Sequence, residues 1–376
     1  MGWTSYDDFI NKCTTLGQFG RTDWNKLAYP TTAQAAGEWH FLFGGQGNPT
    51  AGLLTGGTNL SFQSCCEESA GAIMIGRSPS SGTKHIIGVN AYSAQTTTMP
   101  MNFLLVDLLG FVPDSNLVTT GDQAVVNTAV VTFTNATEIM NHAAVDIASF
   151  SRVQFTLSGG SLPAELSLAT DYWTVRQTAS TSKLYPTYKD AAAGTNQILI
   201  STDGTPTITA NIGLPRYTDG AGVQCMCVNN VAAGAGTGNY RITYTNALGA
   251  TTHVTPGTLP VGGPSMAGRI VYSGTGVGKY GPGFPLAAAD TGIRKLEQIY
   301  RSATQTSGSQ AWCLFKILTD IPMTTVGVVG ERNLMHECPS LPRIYDGACL
   351  ALLAYPGAAT PANSSFNGKI EYGWAG

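Results

Sequence analysis

Turn-forming residues interrupt this chain so often that short strands are the expected elements. The apolar runs Trp39–Phe43, Gly71–Ile75, Ile86–Val89 and Phe103–Leu109 are each closed within a few residues by Gly, Pro, Asn or Ser. Runs rich in Val, Thr and aromatics between such breakers read as strands. Further on, Val131 and Phe133 alternate with Thr132 and Thr134, the period of a half-buried strand. Phe103–Leu109 is apolar at nearly every position, which predicts a strand buried on both faces.

One segment breaks the rule. Tyr6, Phe9, Ile10, Cys13 and Leu16 recur at three- and four-residue spacing and predict an amphipathic helix over Thr4–Leu16. Thr4 or Ser5 can cap it, Asp7 and Asp8 suit its first turn, and Gly17 can end it. Such a helix serves either as a lid on its own domain or as a dock for a neighbour. The aromatic-bearing stretch Arg21–Lys26 reads as its connector to the sheets.

The texture changes near Asn127. Val153, Phe155 and Leu157 alternate with polar residues, Gly159–Pro163 makes a turn, and Asp171–Val175, Gln197–Ile200 and Thr207–Thr209 follow as strands. The earlier pattern resumes at Leu214, with Val223–Val228, Tyr240–Tyr244, Ala311–Leu318 and Cys349–Leu353. The expected architecture is all-β: a helical arm at 1–29, a main jelly-roll or β-sandwich domain from 30–126 and 216–376, and a small β-sandwich inserted at 127–215.

Charge constrains the surroundings of this fold. Only 11% of residues are charged, against about 25% in ordinary soluble domains. So little charge leaves a monomer short of the repulsion that keeps proteins dispersed, and predicts a surface covered by copies of the same chain or by partners. The formal net charge is −3 and the Lys and Arg residues are scattered, so no basic stripe offers itself to nucleic acid. Met1–Ile10 lacks a secretory pattern, and no apolar run nears the roughly 18 residues that cross a membrane, so folding in a cytoplasm is expected.

Eight cysteines include the vicinal Cys65–Cys66 and the pair Cys225 and Cys227, which share a strand face. Neither cluster has the spacing of a zinc site, and His40, His85, His142, His253 and His336 stand apart in sequence. In a cytosol these thiols are expected to be reduced and to pack as small apolar groups. Disulfide formation at Cys65, Cys66, Cys225 or Cys227 after release from a cell is left open.

Catalytic patterns are not met. No G-x-S-x-G occurs, and His336-Glu-Cys338 lacks the second histidine of a zincin. Gly274–Lys279 resembles a phosphate loop, yet Ser273 replaces the first glycine and Tyr280 the magnesium-binding hydroxyl, so a glycine-rich surface loop is expected. Glu67–Glu68 reads as a solvated acidic turn. No catalytic, cofactor-binding or metal-binding residue is assigned, and the chain is expected not to be an enzyme.

Several segments together resemble tailed-bacteriophage virion structural proteins: Thr4–Asp8 with Arg21–Lys26, Leu214–Gly220, Ile242–Asn246, Asp290–Arg294 and Pro339–Ala348. Gly160–Leu166 leading to Tyr172–Val175 resembles a β-sandwich module of phage particles. The resemblance implies a virion location after assembly in the host bacterial cytoplasm. It implies a capsid decoration or cement role, with copies of itself and the major capsid protein or neighbouring virion proteins as partners. Two alternatives stand beside it. One is a neck or tail component (collar, fibre-attachment or receptor-binding) using exposed Tyr172 and Trp173. The other is a spike hydrolase of host polysaccharide. Arg216 and Arg343, within the resembling segments, are expected either to pair with carboxylates or to face solvent.

Overall fold

A computed structural model describes residues 5–27, 33–42, 44, 46–52, 54, 56–75, 83–93, 100–135, 137–204, 208–234, 236, 238–260, 266–271, 281–325, 327–338 and 340–375. The apolar runs become its two longest strands, Met101–Asp114 and Ser309–Met323, paired antiparallel along their whole length. Val223–Val231 joins one side of this pair, and Leu350–Pro356 with His40–Phe41 the other. The expectation for Phe103–Leu109 is met: Phe103 and Leu105 enter one core while Leu104 and Val106 enter another. That division makes the long-stranded sheet the central layer of the protein.

The first core lies between this sheet and an outer sheet ordered Gly330–Asn333, Thr83–Ser93, Phe366–Ala375, Phe19–Leu27, Gln46–Asn48. Trp24, Phe103 and Phe366 meet there edge to face, with ring centroids 6.1 and 5.5 Å apart. The segment 19–27 is therefore a strand of the main domain rather than part of a free arm. Its alternation places Trp24 and Lys26 inward, and hydrogen bonding to the C-terminal strand holds it in register.

The second core lies on the opposite face, under a sheet built from His253–Val254, Asn239–Asn246, Ile293–Arg301 and Gly121–Ala124, with Leu259–Pro260 alongside. Trp312 anchors it, stacked on Phe284 at 5.6 Å and tilted against Tyr240 at 5.4 Å. Buried Cys225, Cys227 and Cys313 pack in the same core. All eight cysteines are free thiols, and only Cys13 and Cys338 escape full burial.

The inserted segment forms its own unit. Thr128–Thr134, Ile139–Asn141, Arg152–Leu157, Tyr172–Thr178, Thr181–Tyr185 and Ile208–Gly213 hydrogen-bond in a closed ring, so the small sandwich expected here has its edges sealed into a barrel. Closure removes exposed strand edges. Phe133 and Phe155 fill it, with centroids 5.6 Å apart. Asn211 pairs with Thr128, so the chain enters and leaves the barrel side by side. Gln197–Ile200, expected as a strand, is not one: Ile198 reaches the barrel wall through a single bond, its N–H donating to Leu184 O at 2.9 Å. Gly71–Ile75 likewise reduces to one bridge, Ile73 to Leu350. Among the described residues, three short helices complete the fold: α1 (Tyr6–Thr14), α2 (Tyr188–Ala193) and α3 (Leu334–Glu337). None is long and apolar enough to cross a membrane.

Candidate assembly surface

The helix foreseen from Thr4–Leu16 forms as α1, with the local chemistry expected of it. Ser5 caps it, its Oγ accepting from Asp8 N–H at 3.0 Å. Lys12 pairs with Asp8 one turn away at 3.2 Å. Gly17 takes a positive φ of 63° and turns the chain toward the sheet. The apolar stripe of α1 is only partly covered. No residue of α1 is buried; Tyr6 is 61% exposed and Ile10 42%, and Leu16 beyond it is 57% exposed. Phe19 and Leu27, at the two ends of the following strand, are also exposed. Within the stripe Tyr6, Ile10 and Leu16 are open, while Phe9 and Cys13 are half-buried.

Other residues singled out in the sequence fall into structural roles. Glu67 is buried rather than solvated, and Glu68 accepts a hydrogen bond from Tyr188 OH at 2.5 Å. Tyr188 lies on α2 of the inserted barrel, so the acidic turn fastens the barrel to the main body. Gly347 sits under the same ring with φ 77°, and a Cβ there would fall 2.3 Å from Tyr188 Cζ. Burial, with the Glu68 bond adding to it, pushes the Tyr188 phenol well above its ordinary range.

Arg216 pairs internally with Asp107, while Arg343 is exposed and stacks over Tyr345 at 4.0 Å. Tyr172, offered as an exposed aromatic, is buried in the barrel, with its OH accepting from Ser167 N–H at 2.8 Å. His253 does not stand apart. Its Nδ1 lies 2.8 Å from Asp290 Oδ2, an oxygen that also accepts from Tyr244 OH at 2.7 Å. Asn246 Nδ2 donates to the other carboxylate oxygen at 2.7 Å. These bonds, that of Tyr244 first, hold the Asp290 carboxyl below its usual range. Sequence spacing could not foresee this knot, because a hairpin and a later loop bring its members together. Glu337 of the His336-Glu-Cys338 segment is taken by Arg332 and by Asn333 N–H. The loop Gly274–Lys279 lies outside the described residues. Among the described residues, no three His, Cys, Asp or Glu side chains gather as a metal site.

No protein-family model matches this chain, and no curated protein matches it at a significant level.

Proposed function

We propose that this protein is a structural subunit of a tailed-phage particle, a capsid decoration protein that works through contacts with copies of itself and with the head lattice. One observation carries the reading: α1 presents Tyr6 and Ile10 to solvent in a chain with only 11% charged residues. Contiguous exposed apolar surface marks an interaction site. Of the charges beside the stripe, Asp8 is neutralised by Lys12, and Asp7 is exposed at the start of the helix. The segments resembling virion proteins support the particle location. Three layers with two separate cores suit a mechanical role.

The test has two arms. Sedimentation of the full chain should show an oligomer, and a monomer at micromolar concentration would remove the self-contact. Immunogold imaging of particles should spread label over the head. Label confined to neck or tail would reject decoration. The neck or tail reading offered Tyr172 and Trp173 as exposed aromatics; Tyr172 is buried and Trp173 half-buried.

A further inference from the structure

A cleft of about 260 Å³ opens where the barrel meets the sheet carrying Ile293–Arg301. Its size lies just under the 300 to 1,000 Å³ common for drug-sized ligands, so it suits one small moiety. Among the described residues, Arg152, Arg294 and Lys295 line it and no carboxylate does. Arg152 is neutralised from behind by Asp171 at 2.5 Å and packs against Gly213, where a Cβ would fall 2.4 Å from its Nη2. Arg294 and Lys295 are exposed and make no ion pair among the described residues. The nearest strand carboxylate, Glu297, is occupied by Thr245 Oγ1 at 2.6 Å and Thr252 N–H at 3.1 Å. Two uncompensated cations therefore meet at one cleft of a chain whose net charge is −3.

The neutral lining is directional. Asn127 spends its amide N–H groups on Val125 O and Leu296 O, Asn211 on Gln154 O and Thr156 Oγ1, and Gln154 on Asp171 and Ala169 O. What remains on each is the carbonyl oxygen, an acceptor. The cleft thus offers cationic donors and three amide acceptors side by side. A bare oxyanion uses only the first set, and a neutral sugar only the second. We infer that the cleft binds a polyhydroxylated anion, a sugar acid whose carboxylate meets Arg294 and Lys295 and whose hydroxyls donate to Asn127, Asn211 and Gln154.

Calorimetric titration of the full chain with glucuronate, glucose and inorganic phosphate tests this. Glucuronate should bind at least tenfold more tightly than either of the others. Arg294→Ala or Lys295→Ala, both at exposed positions that leave folding intact, should each weaken glucuronate roughly tenfold, as loss of a charge-assisted bond predicts. Asn211→Ala should weaken glucuronate and leave phosphate unchanged. A glucuronate-containing oligosaccharide that outcompetes the monomer would identify a polysaccharide as the source, and equal affinity would identify the free acid. Phosphate binding as tightly as glucuronate, or glucuronate binding that ignores the Arg294 and Lys295 substitutions, would overturn the inference, as would no binding at all.

Discussion

The Arg216 guanidinium grips the Asp107 carboxylate with two bonds, Nη2 to Oδ1 at 2.7 Å and Nε to Oδ2 at 3.0 Å, across 109 residues of sequence. Both side chains are buried, and every neighbouring polar group is used: Arg216 also donates to Cys65 O and Leu108 O, and Cys349 N–H donates to Asp107. The pair sits where the chain leaves the barrel and meets the central sheet. It explains why a charged residue follows the barrel in sequence.

Removing one partner should be costly. Arg216→Met leaves the Asp107 charge buried and should lower the unfolding free energy by about 3 to 5 kcal/mol in urea titration. Adding Asp107→Asn should recover part of the loss, because it removes the charge and keeps an acceptor for Cys349 N–H. A double variant no better than the single would show that the charge is not what destabilises.

His40 sets an acid limit. It is fully buried, neither ring nitrogen has a hydrogen-bond partner, and burial, reinforced by Arg269, pushes it down to about 3. The unfolded histidine takes up a proton near 6.5 and the folded one does not, so stability falls as pH drops from about 6.5 toward about 3. The slope from this one proton is about 1.4 kcal/mol per pH unit. His40→Leu should remove that slope and also raise stability at neutral pH. Glu38, whose carboxyl burial pushes up while Arg269 opposes it, acts in the opposite sense and is present in both proteins.

Lys26 acts at the alkaline side. Burial pushes its amine down to about 8, with Nζ donating to Pro49 O at 2.8 Å. Between about 8 and the ordinary 10.5 the unfolded chain holds a proton that the folded chain has lost, so stability rises with pH across that window. Thermal melts of Lys26→Met should be flatter there than those of the parent protein and higher at pH 7. Equal slopes would show that the amine is well solvated.

The helix should matter to assembly and not to folding. Ile10→Asp with Leu16→Asp should shift sedimentation to the monomer while changing unfolding free energy by no more than about 0.5 kcal/mol, the usual range for surface substitutions. A large loss of stability would mean that the stripe has a partner within its own chain.

Thiol accessibility gives a direct check on the packing. Alkylation of the folded protein should modify Cys13 and Cys338 only, and all eight cysteines should react in urea. Burial pushes the Cys66 thiol up to about 12, so little thiolate is available there even if the loop breathes. Rapid native labelling of Cys65 or Cys66 would contradict the packing beneath Met101–Asp114.

Much of the fold was legible because period and punctuation are local properties. α1 and the two-faced apolar run at Phe103–Leu109 both rest on residues a few positions apart. Where local pattern misled, a long-range contact had decided. Gln197–Ile200 has a strand-like sequence but no partner strand, and Tyr172 alternates into a barrel whose closure depends on Thr128–Thr134 meeting Ile208–Gly213. Glu67 looked solvated until the barrel was set against it.

The sequence by itself determined that the chain would be β-rich, poor in charge and led by an amphipathic helix, since each follows from residue type and spacing. Only the tertiary structure decided that this helix would lie open, that Arg216 would find Asp107, and that Arg152, Arg294 and Lys295 would share one cleft. Those outcomes depend on which strands pair and which faces meet. Strand pairing is set by the whole pattern of burial across the three sheets and the barrel, which no single stretch of residues contains.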